Sequence, residues 1–280
     1  MAEVIIAEEA GACYGVERAL ELVRTAAAEA TGPIHTLGPL IHNPAVVAEL
    51  EASGVTVVDS PVVPAGETLV LRTHGVPPEV ERAAREAGAT VIDATCPFVR
   101  RAHRAAERLE REGYQVLVIG ERGHPEVEGT VGHAPGATVV GSAAEVEGLE
   151  LKRKVGVVVQ TTQSEANVRA VVGALVGRVD ELRLVDTVCE ATAGHQGACM
   201  RLAETVDVMV VVGGRTSANT THLAELSRER CERTHHVEGA DELEAAWFAG
   251  ASRIGITAGA STPASQIEAV RARVTELAEG

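Results

Sequence analysis

The sequence predicts an α/β protein made of three similar units, each a parallel sheet covered by helices. Two observations carry that reading: strand-like and helix-like patterns alternate along all 280 residues, and a set of landmarks led by a cysteine recurs three times. Alternation of this kind buries both faces of a parallel sheet. Short β-branched runs bounded by Gly, Asp or Thr occupy residues 4–7, 68–71, 90–92, 115–119, 155–159, 207–212 and 253–256. Their length and composition suit buried strands. Between them residues 16–30, 79–87, 98–112, 164–176 and 265–278 repeat apolar side chains at helical spacing with charged outer faces. Ser164, followed by Glu-Ala-Asn, stands where an N-cap is needed, and Pro125 suits a first helical position.

The repeat is legible in three stretches, Gly-Ala-Cys13-Tyr, Ala-Thr-Cys96-Pro and Thr-Val-Cys189-Glu, each closing an apolar run and opening a helical pattern. A strand ending in glycine follows each cysteine, with Gly38, Gly120 and Gly213 at offsets of 25, 24 and 24 residues. A threonine at a later strand end follows at 60, 65 and 68 residues, namely Thr73, Thr161 and Thr257. Two landmarks in three copies divide the chain into units at 14–95, 96–188 and 189–280, with the strand and cysteine loop of residues 1–13 packing with the third unit. Ligands bind at the carboxyl ends of such sheets. A pseudo-threefold arrangement would bring three thiols and about six polar loops to one centre. The plainer alternative is a two-domain α/β protein with cysteines scattered by chance.

Composition limits what the cysteines can do. With 25 basic against 40 acidic residues the net charge is −15, which disfavours nucleic acid or an anionic membrane surface as partner. Aromatic residues make up only 2% of the chain, too few for stacking platforms. The N-terminus lacks the basic and apolar regions of a signal peptide, and no apolar run approaches the roughly 18 residues of a membrane span. A cytoplasmic protein is expected. Five cysteines in a reducing compartment point to metal binding or catalysis rather than disulfides.

Three converging thiols could hold zinc, but structural zinc draws ligands from close pairs, and none occurs here. A cubane iron–sulfur cluster with three protein thiolates leaves one iron open as a Lewis acid. Each cysteine precedes a helix, whose N-terminal N–H groups favour negative charge. Cys199, in a helical pattern beside Met200, and Cys231, in a charged run, have no counterparts in the repeat and read as structural.

His42, His74 and His124 lie in loops beside Asn43, Gly75 and Pro125. With Ser217, Asn219 and Ser261 they offer donors suited to a phosphate or diphosphate, although any one of them alone could be an ordinary loop residue. Glu126 is either a dipole-stabilising residue of a first helical turn or a proton-relaying carboxyl in a partly dry site. Thr161 and Thr162 either orient a ligand hydroxyl or cap a helix, and Ser164 as the better cap leaves them to the ligand. Gly11-x-x-x-Gly15 and Gly213-Gly214 are too weak for a dinucleotide fingerprint.

These motifs resemble the LytB/IspH family of 4-hydroxy-3-methylbut-2-enyl diphosphate reductases. The likeness runs from Ile5 to about Val270 and looks like the short form without a C-terminal extension. It rests on His42-Asn43-Pro44, Thr73-His74-Gly75, Asp93-Ala-Thr-Cys96-Pro, Gly123-His-Pro-Glu-Val-Glu-Gly129, Gln160-Thr-Thr162 and Thr257-Ala-Gly-Ala-Ser261. The resemblance implies a trefoil of three α/β domains around a 4Fe-4S cluster held by Cys13, Cys96 and Cys189, with one open iron site. It implies substrate binding by His42, Asn43, His74, His124, Thr162, Ser217, Asn219 and Ser261, and catalysis by Glu126, Thr161 and His124. The implied reaction removes the allylic hydroxyl with two electrons and two protons, giving isopentenyl and dimethylallyl diphosphates in the non-mevalonate pathway. The hydroxyl would meet the open iron, Thr161 would position it, and Glu126 would supply protons. Ferredoxin or flavodoxin is the implied electron donor.

Three departures qualify the likeness. After its third cysteine the family usually reads Asn or Tyr, then Ala-Thr, two variable residues and Arg-Gln; here the segment is Glu190-Ala-Thr192-Ala-Gly194-His195-Gln196. That exchange makes the cluster's edge more negative by up to about two charges. Ala218 stands where the family tends to have Ser or Gly, and Ala12 replaces an aromatic residue. A paralogue acting on another small anionic substrate and a non-catalytic iron–sulfur sensor are the alternative readings.

Overall fold

A computed structural model of the chain describes residues 2–279. Met1, at the start of the expected N-terminal segment, and Gly280, at the end of the expected third unit, lie outside the described residues. The chain opens with β1 (Glu3–Ile6), α1 (Tyr14–Glu29), β2 (Ile34–Leu37), α2 (Pro44–Ala52), β3 (Val55–Val58), β4 (Thr68–Leu71), α3 (Pro78–Glu86) and β5 (Thr90–Asp93). It continues with α4 (Pro97–Arg111), β6 (Gln115–Ile119), α5 (Pro125–Gly132), β7 (Thr138–Val140), α6 (Ala143–Glu147), β8 (Lys154–Val159), α7 (Glu165–Leu175) and β9 (Glu181–Val185). The last stretch comprises α8 (Glu190–Ala203), β10 (Val208–Val212), α9 (Ala218–Arg228), β11 (Thr234–Val237), β12 (Arg253–Ala258) and α10 (Ala264–Glu279). Among the described residues no helix is long and apolar enough to cross a membrane.

The strands form three four-stranded sheets in which every ladder is parallel, in the orders β3-β2-β4-β5, β7-β6-β8-β9 and β11-β10-β12-β1. In each sheet the first two positions are exchanged relative to chain order, so the topology is one pattern used three times. The third sheet obtains its fourth strand from the N-terminus, where Glu3–Ile6 pairs with Arg253–Ile256 of β12. The α/β expectation is therefore met by three parallel sheets of one topology.

The chain divides into two compact units. One holds residues 2–16, His42–Ala45 and 190–279, with the third sheet; the other holds Glu17–Ile41 and Val46–Cys189, with the first two.

Burial of both faces explains the β-branched runs. In β10, Val208, Val210 and Val212 join one apolar cluster with Ile267, Val270 and Val274 of α10, while Met209 and Val211 join another with Ala198, Leu202 and Leu223 of α8 and α9. In β6, Leu117 and Ile119 cluster with Val168, Val171 and Leu175 of α7, and Val116 and Val118 with Ala102, Ala106 and Leu109 of α4. A strand covered on both sides has no polar face to alternate with, so it reads as a continuous apolar run. Helix ends follow their local chemistry. Cys96 is the N-cap of α4, Pro97 takes its first position, and Arg108 and Arg111 in its last turn complement the helix dipole. Ser164 accepts the N–H of Asn167 at 3.2 Å, the cap expected of it.

Four strands, β3, β7, β9 and β11, are not among the runs picked out in the sequence, and all four lie at sheet edges. An edge strand has one neighbour and tolerates polar residues, as in Thr-His-His-Val of β11 and the half-exposed β9. The glycine landmark has a structural counterpart in all three copies. Gly38, Gly120 and Gly213 each follow the strand beside the edge strand (β2, β6 and β10), and each N–H bonds to the last residue of that edge strand: Val58 at 2.8 Å, Val140 at 3.1 Å and Val237 at 2.9 Å. The threonine landmark is equivalent in two copies only. Thr73 and Thr161 lie two residues beyond β4 and β8, whereas Thr257 is inside β12, which extends to Ala258.

Candidate active site

The cysteines repeat a second backbone contact. The N–H of Cys13 bonds to the carbonyl of Ala260 at 3.0 Å, that of Cys96 to Thr73 at 3.0 Å and that of Cys189 to Thr161 at 3.1 Å. Each acceptor lies two residues beyond the third strand of its sheet, so each cysteine loop is fastened to the loop that carries the polar candidates. Helices α1, α4 and α8 begin immediately after the three cysteines. None of the three is in a disulfide, and all are half-buried. A cysteine outside any disulfide, held at the same place beside three sheets of one topology, fits an iron–sulfur cluster better than three unrelated structural cysteines. Cys199 and Cys231 are also outside any disulfide but belong to the apolar core, with Cys199 Sγ 3.0 Å from Ser227 Oγ.

In the larger unit the polar candidates gather around Glu126. The His124 ring caps α5, its Nδ1 accepting the N–H of Glu126 at 3.1 Å. An accepting Nδ1 leaves the ring proton on Nε2, where it can be donated to an anion. His74 meets His124 edge-on with ring centroids 5.5 Å apart. Pro125 takes the first position of α5 and sets Glu126 in the first turn.

The Glu126 side chain is 2% exposed. Its Oε1 accepts the backbone N–H of Thr161 at 2.6 Å, and its Oε2 accepts the Thr161 hydroxyl at 2.8 Å. Burial disfavours the carboxylate and raises its pKa to about 7; the two bonds from Thr161 pull the other way and are outweighed. The result is a carboxyl able to hold or release a proton near neutrality, bonded to a hydroxyl able to pass one on. Thr162 Oγ1 accepts from Gln160 Nε2 at 3.0 Å, and Gln160 Oε1 accepts the Glu121 N–H at 2.9 Å, which fixes the loop.

In the smaller unit Asn43 is buried and committed to its surroundings. Its Nδ2 donates to the Ser261 carbonyl at 2.8 Å and to Gln266 Oε1 at 2.9 Å, while Oδ1 accepts the Ala45 N–H at 3.1 Å at the start of α2. Ser261 Oγ in turn donates to the His42 carbonyl at 3.4 Å, so Asn43 and Ser261 hold the His42 loop. Ser217 caps α9 by accepting the Thr220 N–H at 3.4 Å. Asn219 is the exception: 3% exposed, it has no hydrogen-bond partner in the protein for Nδ2 or for Oδ1. An unmet buried amide beside a helix N-terminus is what an anion-binding donor set leaves when read from protein atoms alone.

The segment after Cys189 splits into two environments. Glu190, the first residue of α8, is exposed. His195 is buried, and burial lowers its pKa against the weaker pull of Glu9, so it does not replace an arginine's charge at neutral pH. One residue of consequence is absent from the motif-based candidates. His103 lies on the apolar face of α4, in helical register with Val99 and Ala106, and a polar residue on such a stripe is the sign that marks it.

A model of the LytB protein family matches residues 4–275. The 4-hydroxy-3-methylbut-2-enyl diphosphate reductase of Aquifex aeolicus (strain VF5) is 45% identical over 284 residues, covering 100% of this chain and 98% of its own. The protein of that name from Geobacter sp. (strain M21) is 46% identical over 277 residues and covers 98% of both chains. The solved structure of an (E)-4-hydroxy-3-methyl-but-2-enyl diphosphate reductase, described as the terminal enzyme of the non-mevalonate pathway, superimposes with a TM-score of 0.72 at 43% identity. It covers 99% of this chain and 100% of its own. The E-1-hydroxy-2-methyl-but-2-enyl-4-diphosphate reductase of Plasmodium falciparum superimposes with a TM-score of 0.92 at 27% identity, over 95% of this chain and 86% of its own. The family is one of iron–sulfur enzymes. With its threefold use of one sheet topology and its end-to-end likeness to these reductases, the chain belongs to the LytB family.

Proposed function

We propose that this chain is the oxidoreductase that removes the allylic hydroxyl of 4-hydroxy-3-methylbut-2-enyl diphosphate. Substrate, two electrons and two protons give water and either isopentenyl or dimethylallyl diphosphate. The observation that carries the reading is the buried Glu126 carboxyl, bonded twice to Thr161, whose own carbonyl accepts the N–H of Cys189. A proton source is thereby joined through one residue to a thiol suited to a metal centre.

Cys13, Cys96 and Cys189 would hold a 4Fe-4S cluster with one open iron site, which when bound supplies electrons one at a time and a Lewis acid for an oxygen ligand. Ferredoxin or flavodoxin is the electron donor in this reading. Glu126 gives up its proton at Oε2 and the Thr161 hydroxyl passes it to the departing hydroxyl. Burial of Glu126 keeps bulk water from levelling that proton's affinity. The diphosphate is taken by His42, His74, His124, Thr162, Ser217, Asn219 and Ser261, with Asn43 acting through the loop it braces. Imidazole, hydroxyl and amide donors, with helix N-termini, bind the anion in this reading without a lysine cluster, against a net charge of −15. The units assigned are residues 14–95, 96–188 and 189–280, with the N-terminal strand in the third, and β1 pairing with β12 supports that placement. The cytoplasm is the compartment proposed, since an iron–sulfur cluster and cysteines outside any disulfide suit a reducing milieu. The relatives carry the name of this reductase, and no observation favours the paralogue or the sensor.

The test is turnover. Anaerobically prepared, cluster-replete protein should oxidise reduced viologen dye when given the hydroxylated allylic diphosphate and form both products. Cluster-replete protein that leaves the dye reduced would sink the assignment.

A further inference from the structure

Helix α4, whose N-cap is Cys96, buries one ionisable side chain, His103, to 5% exposure. Its ring stacks on that of His133, the C-cap of α5, with centroids 4.3 Å apart and planes 25° from parallel. The ring edge faces two glycines. A Cβ on Gly75 would stand 2.4 Å from Cε1 and 3.1 Å from Nε2, and Gly75 has a φ of +71° that favours glycine in any case. A Cβ on Gly129 would stand 3.2 Å from Nε2 and 3.4 Å from the carbonyl oxygen of His74. The ring therefore sits where α4, the His74–Gly75 turn and the helix bearing Glu126 meet. Its Nε2 is nevertheless without a hydrogen-bond partner.

Packing alone does not account for a histidine here. A phenylalanine would fill the same slot without burying an unmet nitrogen, which is costly. The ring is uncharged at any physiological pH, because burial and the neighbouring His133 lower its pKa to about 3. Nε2 of this neutral imidazole and the His74 carbonyl oxygen flank the same side of Gly129, 3.2 and 3.4 Å from where a Cβ there would stand, so a movement of the His74–Gly75 turn can bring that carbonyl to the ring's donor.

We propose that His103 is a positioning residue: through Nε2 it fixes the turn bearing His74 against the helix bearing His124 and Glu126 when an anion is bound. The inference rests on the substrate site proposed above. An unpaired buried nitrogen kept at the junction of two ligand-bearing elements is stability given up for function.

Cluster-replete His103→Phe, His103→Gln and His74→Ala proteins, titrated anaerobically with inorganic pyrophosphate, test it. His103→Phe should bind about tenfold more weakly than the parent while unfolding at the same or a higher temperature, and His103→Gln, which restores an N–H, should recover most of the affinity. In the parent protein the Nε2 nitrogen resonance of His103 should move as pyrophosphate is added, which gives a reading even if His103→Phe fails to fold. Parent-like affinity in His103→Phe with weakened binding in His74→Ala would overturn the role of His103 and leave the site standing. Parent-like affinity in His74→Ala would instead remove the site on which the inference rests. An unmoved His103 resonance at saturating pyrophosphate overturns the inference on its own.

Discussion

Thr161 bonds to both oxygens of Glu126, its N–H to Oε1 at 2.6 Å and its hydroxyl to Oε2 at 2.8 Å. The backbone bond fixes where the carboxyl points, and the hydroxyl bond gives its proton a way out. Only the second is lost in Thr161→Val, and only the proton is lost in Glu126→Gln. Turnover should fall about 10²- to 10⁴-fold in Glu126→Gln, the usual weight of a general acid. Iron content and pyrophosphate affinity should stay at parent values. Thr161→Ser should keep most of the activity that Thr161→Val loses, and equal losses in the two would show that the hydroxyl carries no proton.

The same carboxyl ties stability to pH. Its folded pKa of about 7 lies above the ordinary 4.5, so the folded protein binds the extra proton between those values. Stability is fully present below about pH 4.5 and is lost as pH rises through about 7. By pH 8 the shift corresponds to about 3 kcal/mol. Glu126→Gln, neutral throughout, should therefore unfold at higher urea than the parent at pH 8 and near the parent's midpoint at pH 5. Turnover in the parent should decline above pH 7 as the acid form is depleted. A Glu126→Gln protein less stable than the parent at pH 8 would show that the carboxylate is not strained by burial.

Asn219 makes a similar trade in the smaller unit. Its amide has no partner within the protein while 3% exposed, a state that costs about 1–3 kcal/mol. Asn219→Ala should leave stability unchanged or raise it, and should weaken pyrophosphate binding about tenfold if the amide donates to the anion. Calorimetric titration beside a thermal melt reads both quantities. Loss of stability with unchanged affinity would make Asn219 a structural residue.

What could be read from the sequence follows from range. The central strands, the Ser164 cap and the Cys96-Pro97 helix start are set by neighbours in the chain, and the structure has them as expected. Edge strands such as β9 and β11 escape because one partner strand demands little of their composition. The cysteine and glycine landmarks hold at all three sheets, whereas the threonine landmark slips at Thr257 because β12 runs on to Ala258. Glu126 and Thr161 could each be picked out by motif, but not their double hydrogen bond across 35 residues. Asn43 is a similar case: its motif suggests ligand contact, but not the hydrogen bonds of its amide to Ser261 and Gln266 more than 200 residues away. His103 sits at the meeting of α4, α5 and the His74 turn, a junction that no local pattern describes.

The five cysteines divide into two classes that iron analysis can separate. Cys13, Cys96 and Cys189 are half-buried at helix starts, and each is fastened to a strand-end loop. Cys199 is fully buried, packs in the core and has its thiol pKa raised by burial, which disfavours the thiolate a metal needs. Cys231 is 6% exposed in the same cluster. Replacing Cys13, Cys96 or Cys189 singly by serine should strip most of the iron and the brown colour from anaerobic protein, with the far-ultraviolet spectrum of the fold preserved. Cys199→Ala and Cys231→Ala should keep parent iron per chain and cost about 1 kcal/mol each through the small cavities they leave. Iron lost from Cys199→Ala protein that remains folded, or kept in Cys189→Ser protein, would mean that the repeat had been assigned the wrong ligands.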